Sequence, residues 1–184
     1  MNAETDPSTA PELTDGTILL RLMHARDASA HMAGEDEEMA RWVSGGRGTL
    51  ETVNSFIENS RENWRTSGPR RALGVFDCAT GQLVGFIEVN LEVVVAPGVV
   101  NVSYGVFPSW RGRGIAQRAI ELMSKYLLAS TEAQQMVLRI APTNTASLRV
   151  AEKAGFTFCG VFDEPEGRLA RYVRDVARRS PGVN

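Results

Sequence analysis

One stretch constrains this chain more than any other. A β-branched run from Val99 to Phe107 passes directly into Pro108-Ser109-Trp110-Arg111-Gly112-Arg113-Gly114-Ile115-Ala116, after which Ile115, Ala119, Met123 and Tyr126 recur at helical spacing to about Ala129. A strand that feeds an amphipathic helix through a Gly-rich turn belongs to a layered arrangement of sheet and helices. Glycines at a helix entrance let the backbone come close to a ligand, and the free N–H groups there, at the positive end of the helix dipole, form an anion cradle. Arg111 and Arg113 add positive charge beside it. A plain Gly-rich turn would look the same, and the segment alone leaves that alternative open. Two phosphate-binding strings are excluded on residues. The chain has no GxxxxGK[ST], and Gln117 stands where a dinucleotide fingerprint needs its third glycine.

The rest of the pattern is organised around that unit. Residues 1–16, with Pro7, Pro11 and Gly16, read as a disordered lead-in, 17–176 as a single domain and 177–184 as a tail. Thr17 to Leu22 reads as a strand, and Asp27 to Val43, which carries Glu35-Asp36-Glu37-Glu38, as helix-permissive up to the break at Gly45-Gly46. Thr49 has the character of an N-cap for a helix with Leu50, Val53, Ile57 and Trp64 on one side. Strands are expected from Ala72 to Phe76, from Leu83 to Val95 and from Val99 to Phe107, joined by turns at Thr80-Gly81 and Ala96-Pro97-Gly98. A short strand from Val137 to Ile140, a helix from Asn144 to Lys153 and a strand from Phe156 to Phe162 follow. Gly167 to Val176 fits either a last strand or a helix. The order implies an α/β (α+β) domain: a mixed sheet with helices on both faces.

Composition excludes several classes. The chain has 184 residues, enough for one core without a staple, and only two cysteines and two histidines, too few and too scattered for a zinc site or a disulfide framework. Its net charge of -2 speaks against a polycation built for nucleic acid, although all but Lys125 and Lys153 of its 20 basic residues are Arg. Met1 to Glu12 is polar and acidic, unlike a signal peptide, and runs such as Val93-Val94-Val95-Ala96 are far too short to span a bilayer. The expectation is a cytoplasmic protein, monomer or homodimer, with no metal, membrane or nucleic-acid partner.

A second block completes the reading. In Ala141-Pro142-Thr143-Asn144-Thr145-Ala146-Ser147, Asn144 and Ser147 are three apart and share one face of the short helix, beyond the C-terminal end of a strand, where open α/β sheets bind ligands. Asn144 would also serve as an ordinary N-cap. Together the blocks resemble the GNAT acetyltransferase superfamily. Arg111-Gly112-Arg113-Gly114-Ile115-Ala116 matches its Q/R-x-x-G-x-G/A signature, and Asn144 to Phe156 is similar to the N-x-x-S-x-x-V-x-x-K-x-G-F segment of the RimJ/RimL-like branch. The resemblance covers roughly residues 17–176. It implies a largely antiparallel sheet of 6–7 strands with splayed central strands, acetyl-CoA as co-substrate and a primary amine as acceptor, either a protein N-terminus or a small molecule.

The resemblance also assigns roles. Backbone N–H groups of Arg111, Gly112, Arg113, Gly114, Ile115 and Ala116 would hold the pyrophosphate. Backbone of Val106 and Phe107 would pair with the pantetheine, and an N–H near Phe107 would face the oxyanion. Asn144 would contact the pantetheine or order a water, and Ser147 would approach the thioester sulfur. Two positions depart from the family pattern. Ala151 stands where many members carry an acidic Tyr, which leaves Ser147 for that role, and Asn101 stands where a Glu base is common, which moves the search for a base to Glu88. These losses motivate an alternative, a non-catalytic acyl-CoA-binding module. Trp42, Trp64 and Trp110 are candidates for the acceptor pocket, with Trp64 better placed for the core, and the acidic run near Glu35 would draw a cationic acceptor.

Overall fold

The helix expected after Thr49 shows how the sequence builds this molecule. In the computed structural model, which describes residues 10–92 and 95–176, it is α3 (Leu50–Arg65), the longest helix preceding the central strands. Thr49 caps it, accepting from the Thr52 N–H at 3.2 Å while the Thr52 hydroxyl accepts from the Thr49 N–H at 2.8 Å. Val53, Ile57, Ser60 and Trp64, spaced four, three and four apart, form its buried stripe. Ser60 and Trp64 both donate to the Ala72 carbonyl, at 2.8 and 2.9 Å, which fixes the helix against the next strand.

In chain order the strands are β1 (Leu13–Thr14), β2 (Ile18–Arg21), β3 (Arg70–Asp77), β4 (Leu83–Asn90), β5 (Val99–Val106), β6 (Gln135–Ile140), β7 (Thr157–Glu164) and β8 (Gly167–Asp175). The other helices are α1 (Ala28–Gly34), α2 (Glu37–Met39), α4 (Ile115–Ser130) and α5 (Thr145–Lys153). The strands form one sheet in the order β1-β2-β3-β4-β5-β6-β8-β7, and every neighbouring pair is antiparallel except β5 and β6. The β3–β4–β5 meander is the one expected, with helices on both faces.

Two details differ from the sequence reading, and two settle what it left open. Leu13–Thr14, inside the expected lead-in, pairs with β2 and brings the strand count to eight. The polar segment from Asp27 is not one helix. It is α1, then α2 capped by Asp36, then a wide π-turn at Ala40–Ser44 that ends on left-handed Gly45. β4 ends at Asn90, short of the expected end at Val95, and Val93 and Val94 lie outside the described residues. The ambiguous tail is strand β8, inserted between β6 and the edge strand β7. Its alternation won over its helix-friendly Arg and Ala because both neighbours supply ladder partners. Residues 177–184, Arg178 and Arg179 among them, lie outside the described residues, as do 1–9.

Two apolar clusters cover the two faces. One gathers Leu73, Val75, Ile87 and Val89 of the sheet with Ile115, Ala119, Met123 and Leu127 of α4 and Ala151 of α5. The other joins Phe76, Phe86 and Phe107 to Ala28, Val53 and Ile57. Trp64, 1% exposed, belongs to the first cluster and meets Tyr126 of α4 edge-on at 5.4 Å. It is core, as its spacing implies. Trp64→Ala is expected to cost about 3–5 kcal/mol, read as a lower urea midpoint at unchanged m-value.

Candidate functional site

The site begins where two strands part. β5 and β6 pair only at Val99–Gln135, Val100–Met136 and Asn101–Val137. Beyond that point β5 stays with β4 as far as Val106 while β6 stays with β8 as far as Ile140. A gap opens between them, the splay that the resemblance implies. The Phe107 N–H donates to the Val84 carbonyl at 2.9 Å, so ladder alternation turns the polar backbone of Tyr104 and Val106 toward the gap. This corrects one expectation. Phe107 also accepts from the Trp110 N–H at 2.9 Å, so neither of its backbone groups is open to a ligand, and its ring is buried against His31. The available strand donor is Val106.

Next to the gap lies the Gly-rich turn. Gly112 and Gly114 both have φ +76°, a left-handed conformation that a β-carbon resists, and this is why the chain needs glycine at both positions. Gly114 caps α4 without a side chain, and the first ladder bond of the helix runs from the Arg118 N–H to the Gly114 carbonyl at 3.1 Å. The N–H groups of Gly112, Arg113, Gly114, Ile115 and Ala116 meet no acceptor among the described residues, which makes an open cradle. The Ile115 and Ala116 side chains are buried and anchor the helix beneath it.

Arg111 does not add its charge there. Its guanidinium grips Asp36 with two bonds of 2.6 and 2.8 Å, reaches Glu38 at 2.9 Å and donates to the Val106 carbonyl at 3.0 Å. Arg118 is likewise drawn off to Asp15 at 2.6 Å. Of the arginines near the turn, Arg113, stacked over Trp110 at 4.8 Å, is the one without a carboxylate partner among the described residues. Three carboxylates of the acidic run are therefore already engaged, and Glu37 is exposed. Asp36 and Glu38 hold Arg111, and Glu35 is buried, accepting from the Gly48 N–H at 2.7 Å and lying 3.6 Å from His31. Burial pushes His31 below the usual imidazole range, against the pull of Glu35, and its ring is enclosed by Phe56, Phe86 and Phe107. The Arg111 guanidinium holds the Asp36 carboxyl down at about 2.

A cavity of about 960 Å³ opens onto the gap. Ser147, Asn144 and Glu88, three residues singled out from the sequence, all line it, together with Tyr104 and Trp42. Asn144 is the N-cap of α5, its Oδ1 accepting from the Ser147 N–H at 3.1 Å, so its first task is to set the Ser147 backbone. Glu88 projects from β4 and meets the exposed Arg70 at 3.2 Å. Asn101 accepts from Arg139 Nε at 3.0 Å and so is occupied as an acceptor, while Arg139 is itself paired with buried Glu164 at 2.6 Å. Ala151 is fully buried on the inner face of α5.

Tyr104 is the residue that sequence reasoning missed. Its hydroxyl is buried without a hydrogen bond of good geometry, burial pushes the phenol up to about 12, and the nearby Ser147 side chain tempers that shift. In the sequence it reads as one more strand residue. Its approach to Ser147 depends on where the tertiary fold sets α5 relative to β5, which no local pattern encodes.

The chain is similar to known proteins in both sequence and fold. The family model described as "Acetyltransferase (GNAT) domain" matches residues 17–157. A mycothiol acetyltransferase of Thermobispora bispora is 32% identical over 158 residues, covering 83% of this chain and 50% of the relative. The chain thus spans about half the length of that relative. Among solved structures, RimL, a ribosomal L7/L12 alpha-N-protein acetyltransferase in complex with coenzyme A, aligns at TM-score 0.77 and 15% identity over 90% of this chain and 98% of its own. Mycobacterium smegmatis RimJ in complex with CoA-disulfide aligns at TM-score 0.75 and 20% identity over 92% and 88%. No group of three or more His, Cys, Asp or Glu placed to hold a metal occurs among the described residues, and no helix there is long and apolar enough to cross a membrane.

Two outcomes follow from the geometry. Because the Asp36 carboxyl titrates below its unfolded value, its contribution to stability is present above about pH 4 and is lost as pH falls through about 2. Denaturant titrations between pH 4 and 2 should show a steeper loss for the native chain than for Asp36→Asn. Gly114→Val forces a β-branched residue into φ +76° and places side-chain atoms in the cradle. It should abolish measurable acetyl-CoA binding by calorimetry while the circular dichroism of the fold is kept, and unchanged affinity would remove the cradle assignment.

Proposed function

Because the chain belongs to the GNAT acetyltransferase family, we propose that it transfers an acetyl group from acetyl-CoA to a primary amine by direct attack, with donor and acceptor bound together. The observation that carries this reading is the junction of an open N–H cradle, a strand gap and a cavity holding Glu88, Tyr104 and Ser147. Acetyl-CoA supplies the acyl group as a thioester. The backbone of Gly112 to Ala116, with Arg113 beside it, receives the pyrophosphate, and the gap-facing backbone of Tyr104 receives a pantetheine amide. The Val106 N–H is the strand donor near Phe107, facing the carbonyl oxygen as charge develops there, a contribution of about 3–4 kcal/mol for one such donor.

The proton economy divides between the two sides of the sheet. Glu88, on the cavity face of β4, takes the proton the amine must lose. Arg70, largely exposed, is a partner that can swing away. As the C–N bond forms and the C–S bond breaks, the sulfur leaves toward the hydroxyls of Ser147 and Tyr104. Neither is a strong acid, and the phenol held at about 12 stays protonated at neutral pH. Both therefore act as hydrogen-bond donors to the thiolate, which accepts its final proton from solvent.

A thiol-release assay with a panel of amines tests the reading: acceptor-dependent release supports it, and tight acetyl-CoA binding without any such release would leave only a binding module. Ser147→Ala and Tyr104→Phe should each lower kcat by about tenfold or more with a smaller change in the donor dissociation constant. Equal effects on kcat and donor affinity would make both residues binding groups only.

A further inference from the structure

The charges around the acceptor cavity do not balance. Its lining carries three carboxylates, Glu35, Glu88 and Glu166, and four guanidiniums, Arg41, Arg47, Arg70 and Arg139. Each carboxylate is engaged: Glu35 accepts from the Gly48 N–H, Glu88 has Arg70, and Glu166 shares Arg139 with Glu164. That leaves Arg41 and Arg47 with no carboxylate partner among the described residues. They stand on either side of the Gly45-Gly46 turn, whose Gly45 is left-handed and reverses the chain after the π-turn. Arg41 lies over the Trp42 ring at 4.4 Å, which holds the guanidinium plane against the indole and leaves its edge N–H groups free to donate.

From this imbalance we infer that the acceptor is a small amine that also carries an oxyanion, a carboxylate or a phosphate, and that Arg41 and Arg47 recognise the anion while Glu88 faces the amine. The inference rests on the acetyl-transfer reading and sharpens it to a substrate class. A guanidinium fork matches a two-oxygen acceptor, and a pair of forks at a cavity mouth suits it better than any cation. A polyammonium acceptor is disfavoured for the same reason. It would have to lie against the guanidiniums of Arg41 and Arg47, with every other cavity carboxylate already engaged. Within the acidic run, Asp36 and Glu38 are engaged by Arg111 and Glu35 by the Gly48 N–H.

Matched amine pairs test this directly: ethanolamine with phosphoethanolamine, and phenylalanine amide with phenylalanine, alongside spermidine as a polycation. The anion-bearing member of each pair should be favoured in kcat/KM by about tenfold or more. Arg41→Glu/Arg47→Glu should invert that preference, and Arg41→Lys/Arg47→Lys should retain part of it, which a merely structural role for the turn would not produce. A preference for spermidine or for the neutral members, or a preference unchanged by charge reversal, overturns the inference. Calorimetric titration of phosphoethanolamine and ethanolamine into the protein saturated with CoA separates the two readings. Selective binding of phosphoethanolamine without acetylation of any amine would support anion recognition and count against transfer. Transfer without selectivity would do the opposite.

Discussion

The structure depends on a parallel pair of strands that stays paired for only three residues. Antiparallel neighbours hold β5 and β6 on their outer sides, so each strand keeps one complete ladder while the edges facing each other lose theirs. Backbone polar groups left unpaired inside a sheet are costly unless something meets them. Here they line an opening, and the N–H groups of the glycine turn beside it likewise meet no acceptor among the described residues. The cradle at α4, the N-cap of α5 and the carboxylate on β4 all converge on that opening because the strands that carry them end or diverge there.

Arg111 ties the two halves of the site together. Its guanidinium joins the Gly-rich turn to α2, and its Nε secures the Val106 carbonyl at the rim of the gap. Asp36 is both the N-cap of α2 and the partner of Arg111, so one carboxylate sets a helix start and a tertiary contact across 75 residues of chain. The wall that carries Trp42, Arg41 and Arg47 is thus held in register with the turn that carries the cradle. The two arginines of the turn have separate uses, one as a structural clamp and one stacked beside the open N–H groups.

Much of this was legible without coordinates. The Thr49 cap and the stripe from Val53 to Trp64 follow from local hydrogen bonding and 3.6-residue periodicity, and the meander from β-branched runs between turns. The Gly112 and Gly114 turn was legible because only glycine tolerates the backbone it needs, and the Asn144–Ser147 pair because a helix brings residues three apart onto one face. What failed in the sequence reading was non-local. The acidic run from Glu35 was indistinguishable from a solvated face until Arg111 reached it. The Phe107 backbone could not be ruled out as a donor until the β4 register showed where its N–H points. The tail was undecided until two neighbouring strands offered it a place.

The sequence by itself determined the element types, the Gly-rich helix entrance and the family resemblance, because each rests on backbone preference or on residues a few positions apart. Only the tertiary structure decided what the charged side chains do. It placed Tyr104 against Ser147, paired Glu88 with Arg70 and Arg111 with Asp36 and Glu38, and left Arg41 and Arg47 facing the cavity. The physical reason is that Coulombic and hydrogen-bond partners are chosen by proximity in space, and the contacts that matter here join residues 18 to 75 positions apart.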